Sequence, residues 1–294
     1  MRALRLRAPG KVNLCLFLGP LREDGRHELV TLFESVALYD ELTVVEAERD
    51  HVECADVSAP NLVADAVAGL RKRGWQAPPL RVEIAKRIPV AGGMGGGSAD
   101  AAALLRAAPE LSPISPAEVA ALAAELGADV PAQLAPGLVV GTGAGEVVRS
   151  VAPLGPHAFA IVPLAAQLST AAVYAEADRR GLPRARGELE ALLAELEEAL
   201  LVGGRAPISM LVNDLEPAAR ALCPVIDDAL EAVRALDVDH VLVSGSGPTL
   251  VALCWGDDCD ARAERAADRL GGQFPMAVAV APVSSRPSGK IGTV

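Results

Sequence analysis

The sequence predicts a two-domain α+β protein, and three observations lead there. Its 294 residues correspond to about two domains. Helical and extended patterns are interleaved without the regular alternation of a doubly wound parallel sheet. Pro153, Gly155 and Pro156 cluster where the pattern breaks, which divides the chain into domains 1–155 and 156–294.

Hydrophobic residues make up 51% of the chain and aromatics only 3%, so the core has to be built mainly from Ala, Val and Leu. A formal net charge of -11 disfavours nucleic acid and anionic membranes as partners. An anionic small molecule would therefore need a local basic pocket. Neither a basic-plus-apolar leader nor an apolar run of membrane-spanning length occurs, and a soluble cytoplasmic protein is the expectation. Cys15, Cys54, Cys223, Cys254 and Cys259 are scattered and read as reduced thiols. None of His27, His51, His157 or His240 stands at a metal-ligand spacing, so no structural metal is expected.

Taken in order, residues 4–8 alternate apolar and basic, Pro9-Gly10 interrupts them, and 11–18 resume as a strand. The period of two puts Val12, Leu14, Leu16 and Leu18 on a core face, and Lys11 with Asn13 on the other. Residues 22–27 read as a polar loop, 41–47 and 80–85 as strands, and 61–74 as a helix between them. Ser115, Pro116 and Glu118 form a capping box with proline at the first helical position, predicting a helix that stops at Gly127. A short segment at 130–134 and a strand at 138–142 follow, with a turn at 143–145. Beyond the break come strands at 158–162, 240–243, 250–253 and 277–283. Helices are expected at 170–180, 187–201, 227–235 and 261–270, and 284–294 reads as a polar tail.

The most informative stretch is 88–105, IPVAGGMGGGSADAAALL. Five glycines, Gly92, Gly93, Gly95, Gly96 and Gly97, run directly into a helix beginning near Ser98. Glycine lets backbone approach a ligand closely, and a helix N-terminus offers unpaired N–H groups and a positive dipole end. The segment is built to hold an anion, and a nucleotide polyphosphate is the natural occupant. It is neither a Walker A loop nor a dinucleotide fingerprint, because the lysine of one and the glycine order of the other are missing.

Two further segments complete a set: APGKVNLCLF at 8–17, and VSGSGPT at 243–249, a turn between strands. In order and spacing the three motifs resemble those of the galactokinase, homoserine kinase, mevalonate kinase and phosphomevalonate kinase superfamily. Within it, REDGRHELVTLFESVALYDELTV at 22–44, LGADVP at 126–131, GTGAGE at 141–146 and NDLEP at 213–217 resemble the branch that phosphorylates the 2-hydroxyl of 4-diphosphocytidyl-2-C-methyl-D-erythritol in non-mevalonate isoprenoid synthesis. The resemblance implies a ribosomal-protein-like N-terminal domain and a ferredoxin-like C-terminal domain. It also implies ATP, bound by Asn61 at the adenine and by Pro89, Val90, Ala91, Gly92, Gly93, Met94, Gly95, Gly96, Gly97, Ser98 and Ala99 around the phosphates. Asp129 matches the catalytic base and Lys11 the lysine that supports the transferring charge. Asn13, Arg26, His27, Thr170 and Tyr174 match the substrate pocket, with His27 reading the cytosine edge and Tyr174 stacking on the base. Mg2+ is expected because ATP arrives as its magnesium complex, with Ser98 as a candidate contact. The chain departs from the family at Arg26, where a stacking tyrosine is usual, and at Ala132 and Gln133, where aromatics are usual.

Overall fold

The computed structural model describes residues 3–55, 61–90 and 92–283; Ala91 and the tail at 284–294 lie outside them. Strands β1 (Leu4–Leu21) and β2 (His27–Glu46) pair antiparallel along almost their whole length. The other edge of β2 is shared by two partners. Strand β4 (Leu80–Ala85) takes its last residues, Glu41–Glu46, and β5 (Leu138–Thr142) takes Thr31–Glu34. The short β3 (His51–Cys54) adds to β4 in parallel, and β6 (Val147–Ser150) adds to β5. These six strands make one sheet, and β7 (His157–Val162), β8 (His240–Val243), β9 (Leu250–Trp255) and β10 (Val278–Val280) make a second, ordered β10-β7-β9-β8.

Helices α1 (Leu62–Lys72), α2 (Gly96–Leu111), α3 (Pro116–Leu126) and α4 (Val130–Gln133) accompany the first sheet. Helices α5 (Thr170–Arg179), α6 (Arg186–Val202), α7 (Glu216–Leu222), α8 (Val225–Arg234) and α9 (Cys259–Leu270) belong to the second half. Among the described residues, all five cysteines are free thiols, and burial pushes the Cys15 thiol up to about 12.

Local chemistry accounts for the elements that follow their expected bounds. In α3 the Ser115 side chain accepts from the Glu118 N–H while the Glu118 carboxylate accepts from the Ser115 N–H, closing the capping box. Small residues let α2 lie against β1, with Ala99, Ala101, Ala102, Ala103 and Ala108 all buried.

Three expectations need correction. The chain does not break at Pro9-Gly10; β1 continues through a register shift there. The polar loop ends before His27, and β2 runs for 20 residues rather than the last few. Strands β3 and β6 and helix α7 went unread. The reason for β2 is physical. Thr31, Glu34, Ser35 and Asp40 are buried polar residues within it, and each interrupts the apolar pattern that marks a strand. A second register shift, between Asn13 and Cys15, breaks the simple two-face reading of β1, which is buried from Ala8 to Leu18.

The main apolar cluster is continuous through both halves. Phe17, Leu32 and Val36 of the first sheet share it with Phe159, Ile161, Leu253 and Trp255 of the second. Within this contact lies an ion pair, His157 Nε2 to Glu34 Oε2 at 2.9 Å, while His157 Nδ1 donates to the Gly155 carbonyl at 2.7 Å. The pair ties β2 to β7 and is packed against Phe159 and Trp255. Burial opposes the charged imidazole, yet the Glu34 hydrogen bond and charge outweigh it and hold His157 above its usual value.

Removing one partner of a buried pair typically costs about 3 to 5 kcal/mol, and His157→Ala should lower stability by that order in urea denaturation. A raised folded pKa gives stability that is complete below the unfolded value of about 6.5 and lost as pH rises through the folded value. Wild type should therefore lose stability, relative to His157→Ala, as pH rises above about 6.5. Equal pH slopes in the two proteins would contradict this account.

Candidate active site

The middle of β1, the glycine loop, the turn before α4, the first turn of α5 and the loop after β8 converge on a cleft of about 450 Å³. Lys11 is at its floor, 6% exposed. A buried ammonium has to be paired, and Lys11 Nζ donates to Asn13 Oδ1 at 2.7 Å and stands 3.6 Å from Asp129 Oδ2. It also lies 5.4 Å from the centre of the Phe33 ring. Asn13 is itself fixed, because its Nδ2 donates to Thr31 Oγ1 at 2.8 Å and the Thr31 hydroxyl donates to the Cys15 carbonyl at 2.7 Å. This chain of bonds orients the Asn13 oxygen toward the ammonium.

The glycine loop is sewn to the same strand. Lys11 N–H donates to the Met94 carbonyl at 3.0 Å. Gly95 has φ 65° and is the N-cap of α2, with no side chain to cap the helix. A Cβ on Gly95 would lie 3.2 Å from Lys11 side-chain carbons and 3.5 Å from Asp129 Oδ2. The helix therefore begins directly against the Lys11–Asp129 pair, with first-turn amides that no side chain caps. From the opposite side comes the loop after β8. A Cβ on Gly93 would stand 2.5 Å from the Ser244 carbonyl oxygen and 3.0 Å from that of Gly247, so the two glycine segments meet backbone to backbone. Asn213 secures the second of them, donating from Nδ2 to the carbonyls of Val243 and Gly245, both at 2.7 Å.

Asp129 occupies the N-cap position of α4 but makes no capping hydrogen bond. Its carboxylate is left to face Lys11, with its side chain 34% exposed. Its charge also reaches Tyr174 on α5. Burial first, and then the Asp129 charge, push the Tyr174 phenol above its ordinary value. Thr170 Oγ1 and Ser246 Oγ are 3.1 Å apart, where α5 meets the loop after β8. His27 is buried behind Tyr174, their rings 5.6 Å apart. Its Nδ1 donates to the Gly19 carbonyl at 2.9 Å, and its Nε2 is 3.2 Å from Asp178 Oδ1.

The cleft thus gathers Lys11, Asn13, Asp129, Thr170, Tyr174, Pro89 and the loop from Gly92 to Ser98. Other expected residues are not part of its lining. Asn61 caps α1, its Oδ1 accepting from the Val63 N–H at 2.9 Å, and its neighbour Leu62 lines the cleft instead. Val90 is half exposed and Ala99 is buried in α2. Arg26 is held in the turn between β1 and β2, donating to Asp24 Oδ2 from Nε and Nη2 at 3.2 and 3.1 Å. Ala132 and Gln133 are both buried and do not line the cleft. Sequence reasoning left out Thr31, Phe33, Gly245 and Ser246. The last two belong to the VSGSGPT motif, so their signal was present. Thr31 and Phe33 share one face of β2, which was legible only once that segment was known to be a strand.

Comparison with known proteins gives the class of the chain. The GHMP kinase N-terminal domain family matches residues 61–137, and the GHMP kinase C-terminal family matches 186–275. The class is therefore that of the GHMP kinases. A 4-diphosphocytidyl-2-C-methyl-D-erythritol kinase of Thermobifida fusca is 41% identical over 288 residues, covering 92% of each chain. Its counterpart in Streptomyces avermitilis is 41% identical over 261 residues, covering 85% of this chain and 88% of that protein. A crystal structure of 4-(cytidine 5'-diphospho)-2C-methyl-D-erythritol kinase superimposes with a TM-score of 0.77 and 32% identity, covering 96% of this chain and all of the other. A homoserine kinase of Cytophaga hutchinsonii, 19% identical with a TM-score of 0.65, shares the fold. The chain belongs to the 4-diphosphocytidyl-2-C-methyl-D-erythritol kinase family.

Gly93 has φ +77°, which costs an ordinary residue about 1 to 2 kcal/mol, and its Cβ would collide with fixed backbone. Gly93→Ala should weaken ATP binding by roughly tenfold or more, measured by titration calorimetry. Unchanged affinity would mean that this loop does not carry the nucleotide.

Proposed function

We propose that this chain transfers the γ-phosphate of ATP to the 2-hydroxyl of 4-diphosphocytidyl-2-C-methyl-D-erythritol, in the non-mevalonate route to isoprenoid precursors. The observation that carries the reading is the Lys11–Asp129 pair, 3.6 Å apart, standing where α2 and its glycine loop begin. Asp129 takes the proton of the attacking hydroxyl. The hydroxyl oxygen bonds to the γ-phosphorus, the bond from that phosphorus to the β–γ bridging oxygen breaks, and ADP leaves. Lys11, oriented by Asn13, stabilises the charge on the transferring group, and the amides at the start of α2 hold the phosphates.

Magnesium fits this site as a partner of ATP rather than as a resident ion. Among the described residues no group of three or more His, Cys, Asp or Glu could hold a metal, and Mg2+ on a nucleotide needs only one or two protein oxygens beside the phosphates. Ser98, in the first turn of α2 and lining the cleft, is the candidate contact. Bound there, the ion would neutralise phosphate charge during transfer.

The cytidine end is assigned to the side of the cleft formed by Tyr174 and Thr170, with His27 behind Tyr174. With Nδ1–H committed to the Gly19 carbonyl, His27 turns Nε2 toward the cytosine edge, in exchange for Asp178. Arg26 donates to Asp24 through Nε and Nη2 and is half exposed, and its guanidinium plane is assigned to stack on the base where the family uses tyrosine. Adenine is assigned to the neighbourhood of Asn61 and Leu62. The net charge of -11 supports an enzyme without a nucleic-acid partner.

The test is ADP release with MgATP and the cytidine substrate, beside homoserine and mevalonate. Turnover is expected with the cytidine substrate alone. Asp129→Asn should lower kcat by about 10² to 10⁴ while MgATP still binds; full activity in this variant would remove Asp129 from the mechanism. Arg26→Ala should raise KM for the cytidine substrate between about two- and thirtyfold, the range of a cation–π contact. No change in KM would exclude stacking by Arg26.

A further inference from the structure

Beside the start of α2, next to the glycine loop, lies a second buried charge cluster. Asp40 on β2 is fully buried. Its Oδ1 accepts the backbone N–H groups of Arg87 at 2.6 Å and Ile88 at 2.8 Å, the two residues by which the chain leaves β4 and enters the loop. Its Oδ2 accepts from the Lys86 ammonium. That ammonium, with its side chain 8% exposed, also donates to Asp100 Oδ2 at 2.8 Å, in the second turn of α2. A Cβ on Gly96, the first residue of α2, would lie 3.1 Å from Lys86 Nζ. One ammonium therefore joins the entry of the loop to the helix at its exit.

We propose that Lys86 is a positioning residue for nucleotide binding, bridging Asp40 and Asp100 so that the two ends of the glycine loop keep the separation its anion cradle requires. This rests on the reading of that loop as the ATP site. The case is geometric. The loop contains five glycines, whose backbone freedom has to be restrained from outside, and Lys11 and Ser244 touch only its middle. Asp40 holds the entry directly through the Arg87 and Ile88 N–H groups, Asp100 stands on the helix at the exit, and Lys86 is what joins the two.

The charge arrangement is consistent with that role. Two carboxylates share one buried ammonium, and the Oδ1 atom of Asp100 is buried without a hydrogen-bond partner among the described residues. Burial, aided by the Asp40 charge and opposed by Lys86, pushes the Asp100 carboxyl up to about 7. Burial opposes the Lys86 charge as well, but Asp100 and Asp40 outweigh it and raise the ammonium. The neighbouring Arg87–Glu41 pair, 3.5 Å apart, is exposed and does not join the cluster. Without Lys86, two carboxylates would face each other just below the helix end assigned to the phosphates.

Two variants separate positioning from mere support of the fold. Lys86→Met removes the bridge and leaves both carboxylates. Asp100→Leu releases only the helix end and keeps the Lys86–Asp40 pair balanced, so it remains informative if Lys86→Met does not fold. Each should raise KM and Kd for MgATP by roughly tenfold or more, with kcat at saturating ATP and KM for the alcohol substrate close to wild type. Adding Asp100→Asn to Lys86→Met should recover part of the lost affinity by removing the unpaired charge. Unchanged MgATP affinity in Asp100→Leu, or equal losses in kcat and in both KM values, would overturn the proposal. If wild type itself fails to bind MgATP, the ATP reading fails first and the positioning role falls with it.

Discussion

A buried ammonium at position 11 is the constraint around which this molecule is organised. Lys11 is almost wholly removed from water, so the fold has to supply it with partners, and the partners come from distant parts of the chain. Asn13 comes from β1 and is held in place by Thr31 of β2, the Phe33 ring comes from β2, Asp129 comes from the turn before α4, and Gly245 of the second half packs beside them. Bringing them together draws the glycine loop and the loop after β8 into backbone contact. The surroundings of Lys11 and the joining of the two halves are therefore one arrangement.

The polar residues inside β2 show how this is achieved. A strand of 20 residues buried on both edges would be expected to be uniformly apolar. Instead Thr31 holds Asn13, Glu34 pairs with His157, Ser35 accepts the Gly137 N–H, and Asp40 anchors the entry to the glycine loop. Each buried polar group has a partner from another element, so the strand distributes specific connections as well as apolar contacts. Such bonds contribute modestly to stability but are costly to leave half made. They favour one arrangement over its near alternatives.

Much of this was legible from the amino-acid order, for reasons that differ by element. Strand β5 and helix α3 could be read because flanking prolines, glycines and a capping serine act locally. The glycine loop was legible because five glycines leading into an alanine-rich helix have few other uses. Most of β2 was not, because its polar residues are explained only by partners far away in sequence. The same holds in the site. On residue type alone Asp129 read as a helix cap, and only the geometry shows that its side chain caps nothing and faces Lys11. Asn61 runs the other way, its amide oxygen being engaged in capping α1. Position in the chain does not reveal such divided duties.

The shared apolar cluster has a consequence for how proteins of this kind diversify. Phe159, Ile161, Leu253 and Trp255 complete a core that begins with Phe17 and Leu32, so the halves are not modules that recombination could exchange intact. A chimera of two relatives would inherit mismatched surfaces at its centre and a disrupted Lys11 environment along with them. New acceptor specificity in this architecture has to arise where the core is not involved. Positions 24 and 26 in the turn after β1 are such a place: the side chains of Asp24 and Arg26 bond within the turn, and Arg26 is exposed, so they can change without disturbing the packing that unites the molecule.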